Sequence, residues 1–338
     1  MVMDMTEVMI QSIARNSIDK IRIDSKRAIR NAVEMAEQFS KGKFQKQFLQ
    51  TAQKMLEDEQ SAYYELVSKA VSYLKTDTIL SFGINLGYHS CTKGAKKIRE
   101  LEKEKGYSIP WAISMEISNH HMKKSYNRYV SLVDEGEELG IFTWMLWLNE
   151  LKETLAMVPI IKQHEGSDFF LLCETDNVTD EFIQSVEMLN NIMVVLQWNE
   201  SSEKICTKLR EYQIMYGIYF TYDESDIPSI QDGTLLQKIK ETNPLATVFV
   251  KKKACKDETG KQVAELIKNI RNEQRYPMLV WEFYEDSCFV DSIISEDRCF
   301  VHFDDMGNIQ NSKNVKLPES NLFYGTLDSI LHSTFPKE

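Results

Sequence analysis

The chain has 338 residues, a net charge of −11 and 43% hydrophobic residues, which is enough for one large hydrophobic core or two smaller ones. No apolar run approaches the roughly 20 residues that a membrane-spanning helix needs. Asp4 and Glu7 interrupt the apolar N-terminal residues and no small-residue cleavage site follows, so we expect no signal peptide. The composition therefore predicts a cytoplasmic protein that does not cross a membrane.

Cysteine spacing and charge distribution narrow the possible functions. The six cysteines are widely scattered and no pair has CxxC spacing, which indicates free thiols in a reducing compartment. Residues 1–105 contain 18 Lys and Arg against 14 Asp and Glu, whereas residues 106–338 contain 22 against 37. An acidic body would repel phosphates, so we expect no nucleic-acid partner.

The first 105 residues predict helices. Apolar residues recur at helical spacing over residues 7–38, which indicates one long helix or two abutting helices that end near Gly42. Further helices are predicted over residues 44–57, 62–74, 78–86 and 93–105, with Ser61 and Asp77 as N-caps. Residues 87–90 are expected to interrupt the helical pattern, and Gly106 to end it.

The pattern changes after Pro110, from helices alone to strands that alternate with helices. Apolar runs predict strands over residues 111–117, 141–147, 168–173, 192–196, 216–221 and 245–250. The predicted helices cover residues 119–138, 150–163, 179–189, 202–212, 235–241 and 259–275. Apolar runs of this kind indicate parallel strands buried on both faces, and a repeat of about 25–30 residues indicates a partial or full (β/α) barrel of the TIM type.

The C-terminal residues predict a different ending. Strands are expected over residues 278–283, 289–293 and 299–303, with a hairpin turn around Gly307 and Asn308 and a closing helix over residues 327–332. The predicted organisation is a helical N-terminal domain, residues 1–108, followed by an α/β barrel domain, residues 109–338, that ends in a β-hairpin and a helix.

Three segments resemble the lead-in of a group of bacterial radical S-adenosylmethionine (radical SAM) proteins. They are SKGKFQKQF at residues 40–48, SAYYELV at residues 61–67 and FGINLGYHSCTKGA at residues 82–95. The alternating β/α units and the segment ISEDRCFVHFDDMGNIQ at residues 294–310 are similar to that family's barrel and closing strands. The resemblance spans most of the chain and implies a barrel of the radical SAM kind behind a helical N-terminal region.

The sequence departs from that family where its chemistry takes place. Radical SAM proteins hold a [4Fe–4S] cluster with three thiolates of a CxxxCxxC loop after the first barrel strand. Here residues 118–124 read SNHHMKK and contain no cysteine. The family's Gly-Gly-Glu-Pro turn, which meets the amino group of the cofactor, is replaced by WLNE at residues 147–150. The resemblance therefore implies a relative that has lost the cluster and S-adenosylmethionine binding.

Other residues offer only weak alternatives for chemistry. His120 and His121 with Glu116 are the one candidate for a metal site, but adjacent histidines diverge on a helix, so we expect no metal. His89 and Cys91 form a possible thiol–imidazole pair, yet their two-residue spacing favours a structural turn. Residues 304–308 lack the alternating acidic ligands of a calcium loop, so they predict a hairpin turn.

The second predicted strand is rich in aromatic residues. Alternation places Phe142 and Trp144 on one face, and Trp147 follows them. We expect these rings to fill volume that a cluster and cofactor would otherwise occupy.

The preferred hypothesis is a non-catalytic radical-SAM-like barrel that acts as a binding or accessory protein. Its partner would be a small molecule or a protein, such as an active homologue. Another hypothesis, third in order, is a protein-interaction module formed by the N-terminal helices, which an exposed apolar patch would favour.

The remaining hypothesis is an enzyme that uses acid–base or metal-assisted chemistry at the carboxyl ends of the strands, where barrel active sites lie. The residues predicted at those ends are Glu116, Asn149, Glu150, Glu174, Gln197, Tyr222, Asp223 and Lys251. A barrel mouth filled by Trp147 or Trp198 would argue against this hypothesis.

Overall fold

The computed structural model describes residues 5–39, 43–310 and 316–337. Its N-terminal helices are α1 (Met5–Ile21), α2 (Ser25–Phe39), α3 (Lys43–Met55), α4 (Tyr63–Tyr73), α5 (Thr76–Ile84) and α6 (Ala95–Lys105). The segment predicted as one helix or two is two helices, α1 and α2, whereas the predicted cap Gly42 lies outside the described residues. Gly106 ends α6 in the left-handed conformation, as expected.

The break predicted over residues 87–90 is wrong. A π-helix, Asn85–Gly94, joins α5 to α6. Tertiary bonds hold this wide turn, because His89 Nδ1 donates to Gly166 O at 2.8 Å and Ser90 Oγ bonds Thr143 Oγ1 at 2.9 Å. These contacts outweigh the low helix propensity of glycine.

The two predicted N-caps also differ from the structure. Lys75 caps α5, and Asp77 lies within its first turn. Ala62 caps α4, while Ser61 Oγ accepts from the Tyr63 amide at 3.3 Å. A small core joins α1, α2, α4 and α5 through Ile18, Ile29, Tyr64, Val71 and Ile84.

The sheet begins with seven parallel strands in chain order. They are β1 (Ala112–Glu116), β2 (Thr143–Leu148), β3 (Asp168–Cys173), β4 (Ile192–Gln197), β5 (Tyr216–Tyr222), β6 (Ala246–Lys251) and β7 (Leu279–Glu282). The first six confirm the sequence-based strands to within two residues at each end. Almost every residue of β1 to β4 is buried, as parallel strands covered on both faces require.

Helices follow most of these strands. They are α7 (Asn119–Leu139), α8 (Leu151–Gln163), α9 (Asp180–Val186), α10 (Ser202–Glu211), α11 (Ile227–Gln231), α12 (Thr234–Glu241), α13 (Asp257–Glu273) and α14 (Phe283–Ile294), with short 3-10 turns at Thr175–Asn177 and Glu224–Asp226. The strand predicted over residues 289–293 is wrong, since these residues lie in α14. A short apolar run fits either element, and here Glu282 caps the helix by accepting from the Glu285 amide.

Three strands and a helix complete the fold. They are β8 (Val301–Phe303), β9 (Asn308–Gln310), β10 (Lys316–Asn321) and α15 (Leu327–Thr334). β8 lies parallel to β1 on the side away from β2, and β9 and β10 continue the sheet antiparallel. The predicted hairpin turn is present, because Gly307 adopts a φ of 77° and Asp304 Oδ1 accepts from the Asn308 amide.

The sheet is curled but not closed into a full barrel. β7 forms one edge and does not pair with β8. The Trp147 ring of β2 lies 5.4 Å from the Tyr219 ring of β5, although three strand spacings of about 4.8 Å separate those strands. Phe283 at the start of α14 contacts Phe300 just before β8, with ring centroids 5.5 Å apart. The fold is therefore a partial (β/α) barrel behind a helical region.

Among the described residues, no helix has the length and apolar character that a bilayer crossing demands.

Candidate functional site

Trp147 fills the centre of the barrel at its carboxyl end. Besides Tyr219, its ring lies 5.5 Å from the Phe283 ring and 6.5 Å from the His302 ring. These partners come from β5, α14 and β8, so the side chain meets three parts of the barrel wall. The mouth is therefore occupied by a side chain of the protein itself.

The other two aromatic residues of the predicted second strand do not enter the interior. Trp144 lies against Gly136 of α7, where even an added Cβ would clash with the indole. Phe142 lies before the strand with its ring 5.9 Å from the ring of His89. The expectation that all three rings fill the barrel interior is thus correct only for Trp147.

A directed chain of hydrogen bonds starts at Trp147. Its indole N–H can only donate, and it donates to Ser114 Oγ at 2.9 Å. The Ser114 hydroxyl then donates to His302 Nδ1 at 2.9 Å, which leaves the Nε2 hydrogen of His302 to face Glu116 Oε1 at 3.4 Å. The hydrogen bond from His302 lowers the pKa of Glu116, although burial opposes the shift.

The solvent end of this chain is Glu116. Lys253, from the segment after β6, places its Nζ 3.9 Å from Glu116 Oε1. Ser114 and His302 are buried, and Glu116 is partly exposed. We call the hydrogen-bonded side chains of Trp147, Ser114, His302 and Glu116 the Glu116 chain. It contains a carboxylate and an imidazole, the two groups most often used in acid–base chemistry.

A second cluster lies at the carboxyl ends of β5, β6 and β7. The Tyr222 hydroxyl donates to Glu282 Oε1 at 2.8 Å, and Lys251 Nζ donates to Asp257 Oδ1 at 2.6 Å. Burial raises the pKa of Glu282 to about 7. Gly260 brings these pairs together, since a Cβ there would lie 3.1 Å from Lys251 Cδ and 3.8 Å from the Tyr222 hydroxyl oxygen.

Asp223 lies beside this cluster but has partners of its own. Lys252 Nζ donates to Asp223 Oδ2 at 2.7 Å, and the Ser225 amide donates to Oδ1 at 2.9 Å. Both hydrogen bonds lower the pKa of Asp223.

Asn149 and Glu150 belong to a third group, which is organised by the buried carboxylate of Glu153. Glu153 Oε2 accepts from the Asn149 amide at 2.6 Å and from the Glu150 amide at 3.1 Å. Its Oε1 accepts from the Asn119 amide at 3.2 Å, so one side chain joins the turns after β1 and β2. Burial raises the pKa of Glu153, and these three hydrogen bonds oppose the shift.

The two remaining predicted residues have local roles. Glu174 Oε2 is 3.5 Å from Asn177 Nδ2, and the main-chain carbonyl of Gln197 accepts from the hydroxyls of Thr175 and Ser202. The eight predicted residues are therefore distributed over several hydrogen-bonding groups along the carboxyl ends of the strands, and Asn177 Nδ2 joins two of these groups by donating to Asn149 O at 2.6 Å.

Sequence reasoning missed Ser114, Glu153, Glu282 and His302. Ser114 was within reach, because it is two residues from Glu116 and so shares its face of β1. His302 was not, because only the sheet order places β8 beside β1.

The segment after β1 forms the start of α7. His121 stacks on Phe323 with ring centroids 3.9 Å apart, and His120 Nε2 lies 3.2 Å from Lys124 Nζ. Over residues 5–39, 43–310 and 316–337, no group of three His, Cys, Asp or Glu side chains is placed to hold a metal ion. Glu116 meets His302 in place of this histidine pair.

The cysteines are separate and buried. Burial raises the pKa of Cys91 and of Cys206 to about 12, which keeps both thiols protonated. Both ring nitrogens of His89 face other groups, Gly166 O and Glu7 Oε1, so the possible pair with Cys91 is not formed.

Comparison with solved structures identifies the class of fold. SuiB from Streptococcus suis, a radical SAM enzyme, has a TM-score of 0.50 and 11% identity, covering 70% of this chain and 68% of SuiB. SuiB bound to the precursor peptide SuiA has a TM-score of 0.48 at 10% identity, covering 71% of this chain and 68% of that one. SuiB bound to S-adenosylmethionine has a TM-score of 0.49 at 10% identity, covering 70% of this chain and 66% of that one.

At these identities the likeness is one of fold alone. No protein-family model and no curated protein matches the sequence. The chain thus has a radical-SAM-like fold, and its chemistry must be argued from its own residues.

Proposed function

We propose that this protein is a radical-SAM-like barrel without an iron–sulfur cluster that works as a binding or accessory protein in the cytoplasm. It binds neither a [4Fe–4S] cluster nor S-adenosylmethionine, and its partner is a small molecule or a protein such as an active homologue. The observation that carries the proposal is the absence of cysteine from residues 118–124, where the resemblance requires three thiolates.

The positions of the cysteines support this proposal. A cluster needs several thiolates in one place, and soft sulfur ligands are poorly replaced by the imidazole, amide and ammonium groups found here. Cys173 at the end of β3 is in any case buried, and its pKa is raised by that burial.

Two internal contacts support the loss of cofactor binding. Glu153 accepts from the backbone amides of the turns after β1 and β2, which are the turns that the resemblance assigns to cluster and cofactor. Trp147 occupies the space between the strands, and its N–H is bound to Ser114. Both contacts use the protein's own groups where a ligand would otherwise bind.

Anaerobic reconstitution with iron and sulfide tests the proposal. We expect no bound iron after desalting and no sulfur-to-iron absorption band. A content of about four irons per chain, which is one cluster, would refute it.

The Glu116 chain favours a second candidate, an enzyme of acid–base chemistry. A carboxylate hydrogen-bonded to an imidazole at the carboxyl end of a barrel is a plausible proton-transfer pair. Assays with chromogenic esters, run in parallel on the wild type and His302→Gln, separate the candidates. Hydrolysis by the wild type that the variant loses would favour the enzyme, and the same background rate in both would exclude it for this substrate class.

Exposed side chains on α1 favour the third candidate, a helical interaction module formed by residues 1–108. Met5, Val8 and Met9 are 79%, 47% and 49% exposed, and their spacing puts them on one face of the helix. Sedimentation measurements test whether a second copy of the chain covers this face. Concentration-dependent association that Val8→Glu abolishes would support the module.

A further inference from the structure

A cavity lined by residues of both charges lies away from the barrel mouth. It has a volume of about 530 Å³ and is bordered by the π-helix, by α7 and by the segments that enter β2 and β3. This volume is in the usual range for small-molecule sites, roughly 300–1,000 Å³. It opens at the amino ends of the strands, whereas the Glu116 chain lies at their carboxyl ends.

The cavity has walls of opposite charge. Lys93 and Lys97 stand on the wall formed by the π-helix and α6, and Asp134 and Glu138 stand on the wall formed by α7. The side chains of Lys93 and Glu138 make no hydrogen bond or ion pair with another residue in the described part of the chain, which leaves one cation and one anion for a ligand.

The neighbouring groups are held by the protein. Glu137 Oε1 accepts from the Ser167 hydroxyl at 2.7 Å and lies 3.2 Å from His164 Nδ1. His164 is only 5% exposed, and its Nε2 has no hydrogen-bond partner among the described residues but lies 3.7 Å from the Asp134 carboxylate. His164 therefore contacts the acidic wall but is not one of the residues that line the cavity.

The floor of the cavity is aromatic and polar. The Phe142 and His89 rings lie 5.9 Å apart, and His89 Nδ1 donates to Gly166 O. Because a carbonyl only accepts, Nδ1 carries a proton, and Nε2 lies 3.1 Å from Glu7 Oε1. His89 is thereby fixed in position by α1 and by the turn before β3.

The spacing of the two charged walls is fixed by two glycines. Gly140, at a φ of 94°, lies where an added Cβ would be 2.9 Å from Gly94 O. The backbones of the π-helix and of the C-terminal end of α7 therefore touch directly beside the cavity, and only residues without a Cβ permit this approach.

We propose that this cavity binds a free α-amino acid. Its carboxylate would meet Lys93 and Lys97, its ammonium group would meet Glu138 and Asp134, and an apolar side chain would lie on the Phe142 ring. The proposal rests on the proposed function, which it deepens by naming the ligand class of the binding protein.

Other ligand classes fit less well. Nucleotides are disfavoured because Asp134, Glu137 and Glu138 would repel phosphate groups. A peptide segment has no charges on its internal backbone, whereas a free amino acid presents a cation and an anion a few bonds apart. Opposed charges across one cavity favour such a zwitterion.

Calorimetric titration of the full chain with a panel of free L-amino acids tests the proposal. We expect saturable binding, and we expect no binding of the α-amide, which lacks the carboxylate, or of the N-acetyl derivative, which lacks the ammonium group. Absence of binding by every amino acid, or binding of either derivative as tight as that of the free amino acid, would overturn it.

Substitutions locate the binding in this cavity. Lys93→Gln and Glu138→Gln should each weaken binding by roughly tenfold, because each removes a charge-assisted hydrogen bond. Lys96→Gln is the matched control, since Lys96 lies three residues after Lys93, is exposed on α6 and pairs with Glu100. Unchanged affinity in both lining variants would exclude the site, and the iron measurement above remains a separate test of the proposed function.

Discussion

The two ends of the parallel sheet differ in how their polar groups are satisfied. At the carboxyl end, Trp147, Ser114, His302 and Glu116 bond to one another, and the space between them is filled. At the amino end, a cavity of about 530 Å³ remains, and Lys93 and Glu138 reach it without a partner in the described chain. Barrel enzymes place their sites at the carboxyl end. Here the cavity that we propose binds a ligand lies at the opposite end.

The largest effect is expected from emptying the mouth. Trp147→Ala should lower the free energy of unfolding by about 3–5 kcal/mol, because it removes a large ring from between β2, β5 and β8. Trp147→Phe should cost only about 1 kcal/mol, since it keeps most of the ring but loses the bond to Ser114. Urea denaturation measures both variants. A cost below about 1 kcal/mol for Trp147→Ala would show that the mouth is not a packed core.

The pH dependence of stability tests the buried acid beside the mouth. Glu282 has its pKa raised by burial to about 7 from the ordinary 4.5, so the folded state holds a proton that the unfolded state releases. The contribution of Glu282 to the free energy of unfolding is therefore fully present below pH 4.5. It decreases by about 3 kcal/mol as the pH rises to about 7.

The variant Glu282→Gln isolates that contribution, because Asp168 and Asp291 are also buried with raised pKa values and give slopes of the same sign. The denaturation free energy should vary less with pH in the variant than in the wild type. Glu265→Gln, which removes an exposed carboxylate of α13 paired with Lys268, is the control and should retain the wild-type slope. Identical slopes in wild type and Glu282→Gln would contradict the assignment.

The glycine contact beside the cavity should have an intermediate effect. Gly94→Ala should destabilise the protein by about 1–3 kcal/mol, because the added Cβ would clash with Gly140 O and lie 2.8 Å from His89 O. Gly87→Ala is the matched control in the same π-helix, with nothing within 4 Å of its added Cβ, and should be neutral or stabilising by up to about 1 kcal/mol. If the two variants have the same melting temperature, the π-helix and α7 can separate to accommodate the added Cβ, and the glycine contact does not fix the spacing of the cavity walls.

The sequence was informative where one element decides its own structure. Continuous apolar runs such as residues 168–173 identify buried parallel strands without any knowledge of their neighbours. The sequence was misleading where contacts between distant residues determine the local structure. The π-helix depends on bonds from His89 and Ser90 to residues more than fifty positions away, and no local pattern encodes these.

The candidate site shows the same division. Residues at strand ends are predictable from alternation, and Glu116 lies where expected. Its partner His302 comes from a strand 186 residues later, and the sheet order that joins them is not written in either segment. The amino-end cavity depends on the approach of α7 to the π-helix, so neither its presence nor its opposed charges could be predicted.

The smallest effect is expected at the cavity, and it gives the sharpest comparison because one substitution can be made at both ends. Glu116→Ala should cost about 1–2 kcal/mol, since it leaves the buried Nε2 hydrogen of His302 without its acceptor. Glu138→Ala should change the free energy of unfolding by less than about 0.5 kcal/mol, because this carboxylate supports no other described group. Urea denaturation compares the two. If Glu138→Ala costs as much as Glu116→Ala, the carboxylate is structural, and the cavity loses the free anion on which amino-acid binding depends.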